Sequence, residues 1–232
     1  MHGVVAALLL AQASDISPKD ALLRVAASYG KLGSFSMHIE HSDSSGLFPG
    51  PFEQQLEWRR ESGTLIVQGE AKQKANRFRL TVTRRNSSKA PDYFCNGLGI
   101  MSSWTDGRRE YRVPFEDPNT MPGWEVSGGL ILGWLQETPN SKFLIDPPDE
   151  MELNYSFGNS ATWKGEKVKE LILDWKSGDT TRRIWLYMSP KFDRYVGFEW
   201  EPKPGKPHGF AHYSMQRRNP RLSKNLGEYP KA

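Results

Sequence analysis

Histidine and carboxylate spacing is the first place to look for chemistry. His38 and Glu40 are two residues apart in an alternating stretch, so an extended backbone sets both on one face and His41 on the other. His208 and His212 share a face in the same way if that stretch is extended. Imidazole and carboxylate groups ligate zinc when three or four converge. Spacing alone leaves open whether these two stretches meet. The acidic pairs Glu116-Asp117 and Asp149-Glu150 stand beside prolines in loop-like sequence, where a solvated charge is the ordinary role. Cys95 is the single cysteine, which excludes an intramolecular disulfide and a cysteine-rich zinc site. No histidine lies near it in sequence to activate it, and a small buried hydrophobe is the simpler reading. There is no Gly-x-Ser-x-Gly elbow, phosphate loop, dinucleotide fingerprint or His-Glu-x-x-His. These residues predict no enzyme, no metal and no cofactor.

The elements around them are mostly strands. Ser17-Pro18-Lys19-Asp20 reads as a helix start, with Ser17 as cap and Pro18 in the first turn. Leu22, Val25, Ala26 and Tyr29 then give one apolar face, and Gly30 and Gly33 end it. Period-two alternation follows in Phe35, Met37 and Ile39, then in Phe52, Leu56 and Trp58. Leu65 and Val67 mark a third strand, and Phe78, Leu80 and Val82 a fourth. Leu98, Ile100 and Trp104 lie along a fifth, which turns at Asp106-Gly107 into Tyr111 and Val113. Val126 to Gln136 is apolar nearly all round and predicts a short buried helix. Strands return after the turn at Trp163 to Glu166, in Leu171 to Trp175, Ile184 to Met188, Val196 to Trp200 and Phe210 to Met215. Ile184, Leu186 and Met188 interleave with Trp185 and Tyr187, so that strand is apolar on both faces.

About nine to eleven strands with short connections predict an antiparallel sheet, which at this breadth must curl, close or pack on something. The expected fold is mainly β with two or three helices: a curved antiparallel sheet forming an incomplete half-barrel lidded by helices. The 232 residues, 37% apolar and 25% charged, describe a globular chain that fits one β-rich domain. The net charge of +4 is small, and Arg217, Arg218, Arg221, Lys224 and Lys231 face only Glu228 near the end. That pattern argues against nucleic-acid binding and predicts a basic, frayed tail. Val4 to Leu10 is an apolar run followed by Ala11-Gln12-Ala13, the form of a signal peptidase site, although no Lys or Arg precedes it. The expected organisation is a signal peptide over 1–13, a single domain over 14–216 and a tail over 217–232, in a periplasmic or secreted bacterial protein.

The order of short pieces over residues 20 to 136 resembles the bacterial outer-membrane lipoprotein carrier and lipoprotein-sorting family, with its LolA-like fold. A helix runs through a polar turn into a strand at Leu32-Gly33-Ser34-Phe35-Ser36-Met37. A basic residue, Asn and Phe follow at Lys74-Ala75-Asn76-Arg77-Phe78, and Ile100 to Tyr111 carries a strand, Asp-Gly and an aromatic. A short apolar helix comes around Leu130 to Leu135. The resemblance implies a concave apolar face holding acyl chains of a lipid or lipoprotein, without catalysis. Its lining would be Phe35, Met37, Ile39, Leu56, Trp58, Leu65, Val67, Phe78, Leu80, Val82, Leu130, Ile131 and Trp134. The family often carries Arg-Pro before the Asn and uses that Arg to latch its lid. Here Lys74 and Ala75 stand there, and Lys74 as a lid contact lacks Arg's planar fork. The resemblance implies a monomer and leaves open a transient membrane-protein partner. The same fold also serves as an envelope-stress sensor or protein-interaction module, which is the alternative reading; an exported hydrolase of unrecognised type is the third.

Overall fold

The computed structural model describes residues 16–42, 51–67, 70–73, 76–85, 92–96, 100–105, 108–114, 131, 152–177, 180–201 and 209–228. The chain enters through helix α1 (Pro18–Gly30). Ser17 caps it: its hydroxyl oxygen accepts from the Asp20 amide at 3.1 Å and donates to the Asp20 carboxylate at 2.6 Å. Pro18 opens the first turn, where its missing N–H costs nothing. Ala21, Leu22, Val25 and Tyr29 form the buried stripe.

Thirteen strands follow among the described residues. They are β1 (Ser34–Ser42), β2 (Phe52–Arg59), β3 (Thr64–Val67), β4 (Glu70–Gln73), β5 (Arg77–Arg85), β6 (Asp92–Asn96), β7 (Ile100–Thr105), β8 (Arg108–Pro114), β9 (Glu152–Trp163), β10 (Glu166–Ser177), β11 (Thr180–Met188), β12 (Tyr195–Trp200) and β13 (Gly209–Arg218). Eleven of them form one antiparallel sheet in the order β8-β7-β6-β5-β2-β1-β13-β12-β11-β10-β9. Among the described residues the sheet is not closed: β8 and β9 are its edges. The chain builds it outward from β1 on both sides, since β1 pairs with both β2 and β13. Laid flat, eleven strands would be about 48 Å across. Bulges break the register in β1/β13, β2/β5, β7/β8, β9/β10 and β11/β12, and each adds local bend and twist.

Structure and expectation differ at several points. Among the described residues there is one complete helix rather than two or three. Of the second expected helix, Val126 to Gln136, only Ile131 is described; it is helical and fully buried. The third expected strand, with Leu65 and Val67, does not join the main sheet. It pairs only with β4, and β2 passes over this small hairpin to pair with β5 instead. The reason is register: the buried row of β2 meets Phe78, Leu80 and Val82 of β5 residue for residue. Two main-sheet strands, β6 and β9, were not expected from the sequence.

The carboxyl-terminal segment is fastened along the sheet end as far as it is described, where fraying was expected. Asn219 takes a positive φ of 53°, and its Oδ1 accepts from the Gly33 and Ser34 amides at 2.9 and 3.3 Å. Arg59 donates to the Ser223 carbonyl at 3.0 Å and Arg77 to the Leu226 carbonyl at 3.3 Å. Leu226 is buried, and Gly227 lies so close to β6 that an added Cβ would stand 1.8 Å from the Cys95 carbonyl oxygen. Its φ of +79° also favours glycine.

Candidate functional site

The candidate site is the inner face of the sheet, the face against which α1 packs. Pleating puts Phe35, Met37, Ile39 and His41 of β1 on this face. On β2 it selects Phe52, Gln54, Leu56 and Trp58, while Glu53, Gln55, Glu57 and Arg59 face outward and are half-buried. Phe78 and Leu80 continue the row on β5, and Tyr93 and Cys95 on β6. On the far side the row runs through Tyr213, Tyr195, Leu186, Met188, Leu171 and Leu173. Together with the helix stripe and Ile131 these side chains form one continuous apolar cluster.

Eight of the expected lining residues therefore come together: Phe35, Met37, Ile39, Leu56, Trp58, Phe78, Leu80 and Ile131. The first five and Ile131 have no surface open to water, so they are covered on every side. Val82 is half-buried at the rim. Leu65 and Val67 sit on the separate hairpin. Leu130, Trp134 and Lys74 lie outside the described residues. The open apolar surface is elsewhere on the same cluster. Leu153, Tyr155 and Phe157 of β9, Ile184 of β11 and Phe198 of β12 pack against the core yet remain only partly buried. Sequence reasoning missed this strip. The signal was present in the alternation of Leu153, Tyr155 and Phe157 with Glu152, Asn154 and Ser156, but the short run was diluted by the polar residues after it.

The helix is held to this face by hydrogen bonds as well as packing. The Tyr29 hydroxyl accepts from the Tyr195 amide at 3.0 Å and donates to Gln216 Oε1 at 2.7 Å. Burial pushes the Tyr29 phenol up to about 12, against the opposing pull of the Tyr195 backbone hydrogen bond, so it stays a neutral donor. Its ring meets Phe35 edge-on with centroids 5.4 Å apart. Ser28 donates to the Asp193 carbonyl at 2.8 Å, and Arg218 donates to the same carbonyl. These contacts tie α1 to β12, β13 and the turn before β12.

At the end of the sheet where β1 finishes and β2 begins, the inner face changes character. His41 is buried, stacked on Phe52 at 4.4 Å and near Trp200 at 5.7 Å. Gln54, the cross-strand neighbour of Ile39 and Val82, is fully buried. Neither its side-chain oxygen nor its nitrogen has a hydrogen-bond partner.

The outer face carries the ionisable groups that the sequence singled out. β1 and β13 do meet, and Glu40 stands opposite His212. His212 Nδ1 is 3.6 Å from Glu40 and its Nε2 is 3.7 Å from Glu166. Burial holds the His212 imidazole below its ordinary value, and Glu166 and Glu40 pull the other way. His38 pairs instead with Glu53 at 3.3 Å. His208 lies outside the described residues. Trp163 stacks on Tyr187 at 4.4 Å, and its Nε1 donates to Glu199 at 2.6 Å. The Tyr187 hydroxyl donates to the same carboxylate at 3.3 Å. Glu199 helps burial raise Glu170. Trp163, Tyr187, Val168, Val196 and Trp185 form a second, smaller apolar cluster, which accounts for the strand that is apolar on both faces. These charges are engaged with one another, and no group of three metal-ligating side chains converges among the described residues. Cys95 is buried in the inner core.

No family model matches the chain, and no curated protein is similar to it in sequence. Solved structures do match. An uncharacterized conserved protein from Thermus thermophilus is 10% identical, with 92% of this chain and 94% of that one covered at a TM-score of 0.52. The lipoprotein LppX of Mycobacterium tuberculosis is 10% identical over 90% of this chain and 99% of its own, at 0.47. A LolA superfamily protein from Nitrosomonas europaea is 7% identical over 92% and 98%, at 0.41. The likeness that exceeds a TM-score of 0.5 among these three is to the Thermus thermophilus structure. At these identities it concerns the fold and carries nothing about ligand. No helix among the described residues is long and apolar enough to cross a membrane.

Proposed function

We propose that this protein is a periplasmic or secreted, non-catalytic binding or carrier protein for acyl chains of a lipid or lipoprotein. The observation that carries the reading is the partly open apolar strip of Leu153, Tyr155, Phe157, Ile184 and Phe198, continuous with a large covered core on the inner face of an unclosed sheet. Pockets for such ligands are mostly apolar with few polar groups. Each methylene taken from water contributes ~0.8 kcal/mol, so a strip of this kind can hold a long chain without catalytic or ionic help. In this reading the sheet is a half-barrel, α1 is part of its lid, and the covered residues Phe35, Met37, Ile39, Leu56 and Trp58 are the floor beneath the ligand. A carrier of this kind works as a monomer and hands its cargo to a transient membrane-protein partner.

Native mass spectrometry of the purified chain, followed by organic extraction, tests the reading. The expected result is a co-purified acylated mass that leaves on extraction and returns on incubation with acylated peptide or phospholipid. A mass equal to the bare chain, unchanged by either ligand, would overturn it and favour a protein-interaction module.

A further inference from the structure

The inward row of β10 and β11 carries a cation at each end and no carboxylate between them. Lys169 stands opposite Met188 and Arg182 opposite Trp175, so both share a face with Leu171, Leu173 and Ile184. From Lys169 to Trp175 the strand runs about 20 Å. Beside it lies the partly open strip, with Phe157, Tyr155 and Leu153 of β9 opposite Leu171, Leu173 and Trp175. The two cations differ. Arg182 is exposed, its guanidinium 5.8 Å from the Trp175 ring, and a solvated charge at a sheet end is ordinary. Lys169 is half-buried. Its ammonium sits 5.2 Å from the Phe157 ring, which stacks at 5.8 Å on the buried Phe192. Other cations of this flank find carboxylates: Lys164 meets Glu40 at 3.5 Å, Arg183 meets Asp174 at 2.7 Å, and Arg194 meets Glu166. Lys169 finds none among the described residues. A half-desolvated ammonium with only an aromatic face beside it gains from an added anion.

We propose that the open strip takes an acyl chain with an anionic head, a carboxylate or a phosphate, and that Lys169 receives that head. The chain then lies along Phe157, Tyr155 and Leu153 toward Trp175, over apolar surface that is partly open to water. The ammonium donates charge-assisted hydrogen bonds to the head oxygens while keeping its place over the Phe157 ring. A neutral ester is the poorer fit, because it leaves the ammonium without a counter-charge. This rests on the acyl-chain reading above and specifies the head of its ligand.

The test is displacement of bound N-phenyl-1-naphthylamine, an uncharged fluorophore, from the full chain at pH 8 by laurate and by methyl laurate, which share one acyl chain. Wild type is expected to release the fluorophore at a roughly tenfold lower concentration of laurate, the discrimination of about one charge-assisted hydrogen bond. The gap is expected to narrow in high salt, because a half-exposed charge is screened. Lys169→Gln is expected to bring the two probes to parity, and Lys169→Arg to keep the preference. Equal potency on wild type, a preference that survives Lys169→Gln, or one that Arg182→Gln removes instead, would overturn the Lys169 assignment and leave the carrier reading standing. If neither the fluorophore nor either probe binds wild type, the carrier reading fails and this one with it. If Lys169→Gln and Lys169→Arg both unfold, the lysine is structural and the assignment is wrong. Dodecyl phosphate separates the two head groups: greater potency than laurate assigns a phosphate, and lesser potency a carboxylate.

Discussion

The two flanks of the sheet are built from the same alternating pattern and end in different states. On the β1-β2-β5-β6 side the inner row is covered from Phe35 and Trp58 through Leu56 to Cys95, with Val82 half-buried at its rim. On the β9-to-β12 side Leu153, Tyr155, Phe157, Ile184 and Phe198 belong to the same cluster but stay partly open. Hydrophobic pattern does not separate the flanks, because both turn an apolar row toward the one core cluster. What separates them is the cover. The first flank has the carboxyl-terminal segment fastened over its end by Arg59, Arg77 and Gly227. The second ends in β9, which among the described residues has a strand neighbour on one side only. One flank is therefore closed, and the other keeps part of its apolar surface open to water.

The largest expected effect breaks this comparison directly. Trp58→Ala is expected to cost about 3–5 kcal/mol in chemical denaturation, since it empties a fully enclosed volume. Phe157→Ala, on the half-open flank, is expected to cost about 1 kcal/mol, because only part of that ring leaves water on folding. Its effect is expected on acyl-chain binding instead. Equal losses for the two would erase the distinction between the flanks.

Gly227→Ala probes the cover alone. The added methyl meets the Cys95 carbonyl and the positive φ at once, so a loss of about 2–3 kcal/mol is expected by denaturant melting, with faster proteolysis of the last residues. Tyr29→Phe sharpens the seam between α1 and the sheet. It removes one hydroxyl that serves both the Tyr195 amide and Gln216, and a loss of about 1–3 kcal/mol is expected in the same assay.

The smallest effect is a pH dependence on the outer face. Burial lowers the His212 pKa in the folded protein, so between that value and about 6.5 the unfolded chain holds the extra proton. Stability is expected to fall as pH drops below about 6.5 and to level off once the folded imidazole is protonated. Glu40 and Glu166 beside it limit the loss. Asp174 and Asp193, both held below the ordinary carboxylate range by hydrogen bonds, lose their contribution only at much lower pH. Denaturation midpoints at pH 7.5, 6.5 and 5.5 for wild type and His212→Gln check this: the variant should show a flatter profile.

Much of the fold was readable because local signals were strong. Ser17-Pro18 announced α1, and the alternation in Phe35 to Ile39 and Phe52 to Trp58 announced β1 and β2 with the correct inward faces. The turn at Lys164-Gly165 was visible too, and its φ values of 49° and 81° are those of a tight hairpin. β6 was hidden because Tyr93, Phe94 and Cys95 are consecutive buried residues without alternation, and a short apolar run does not declare its period. Of the expected lining, eight residues lie together in one inner apolar cluster, while the partly open strip on β9 to β12 was not expected.

By itself the sequence determined which face of β1, β2 and β5 turns inward, since side-chain period and residue polarity are local properties. It also determined that no familiar catalytic spacing is present. Only the tertiary structure decided that β3 leaves the sheet, that β1 meets β13 and brings Glu40 to His212, and that Leu226 covers one end of the core. These depend on pairing partners far apart in the chain, and no local pattern encodes a partner.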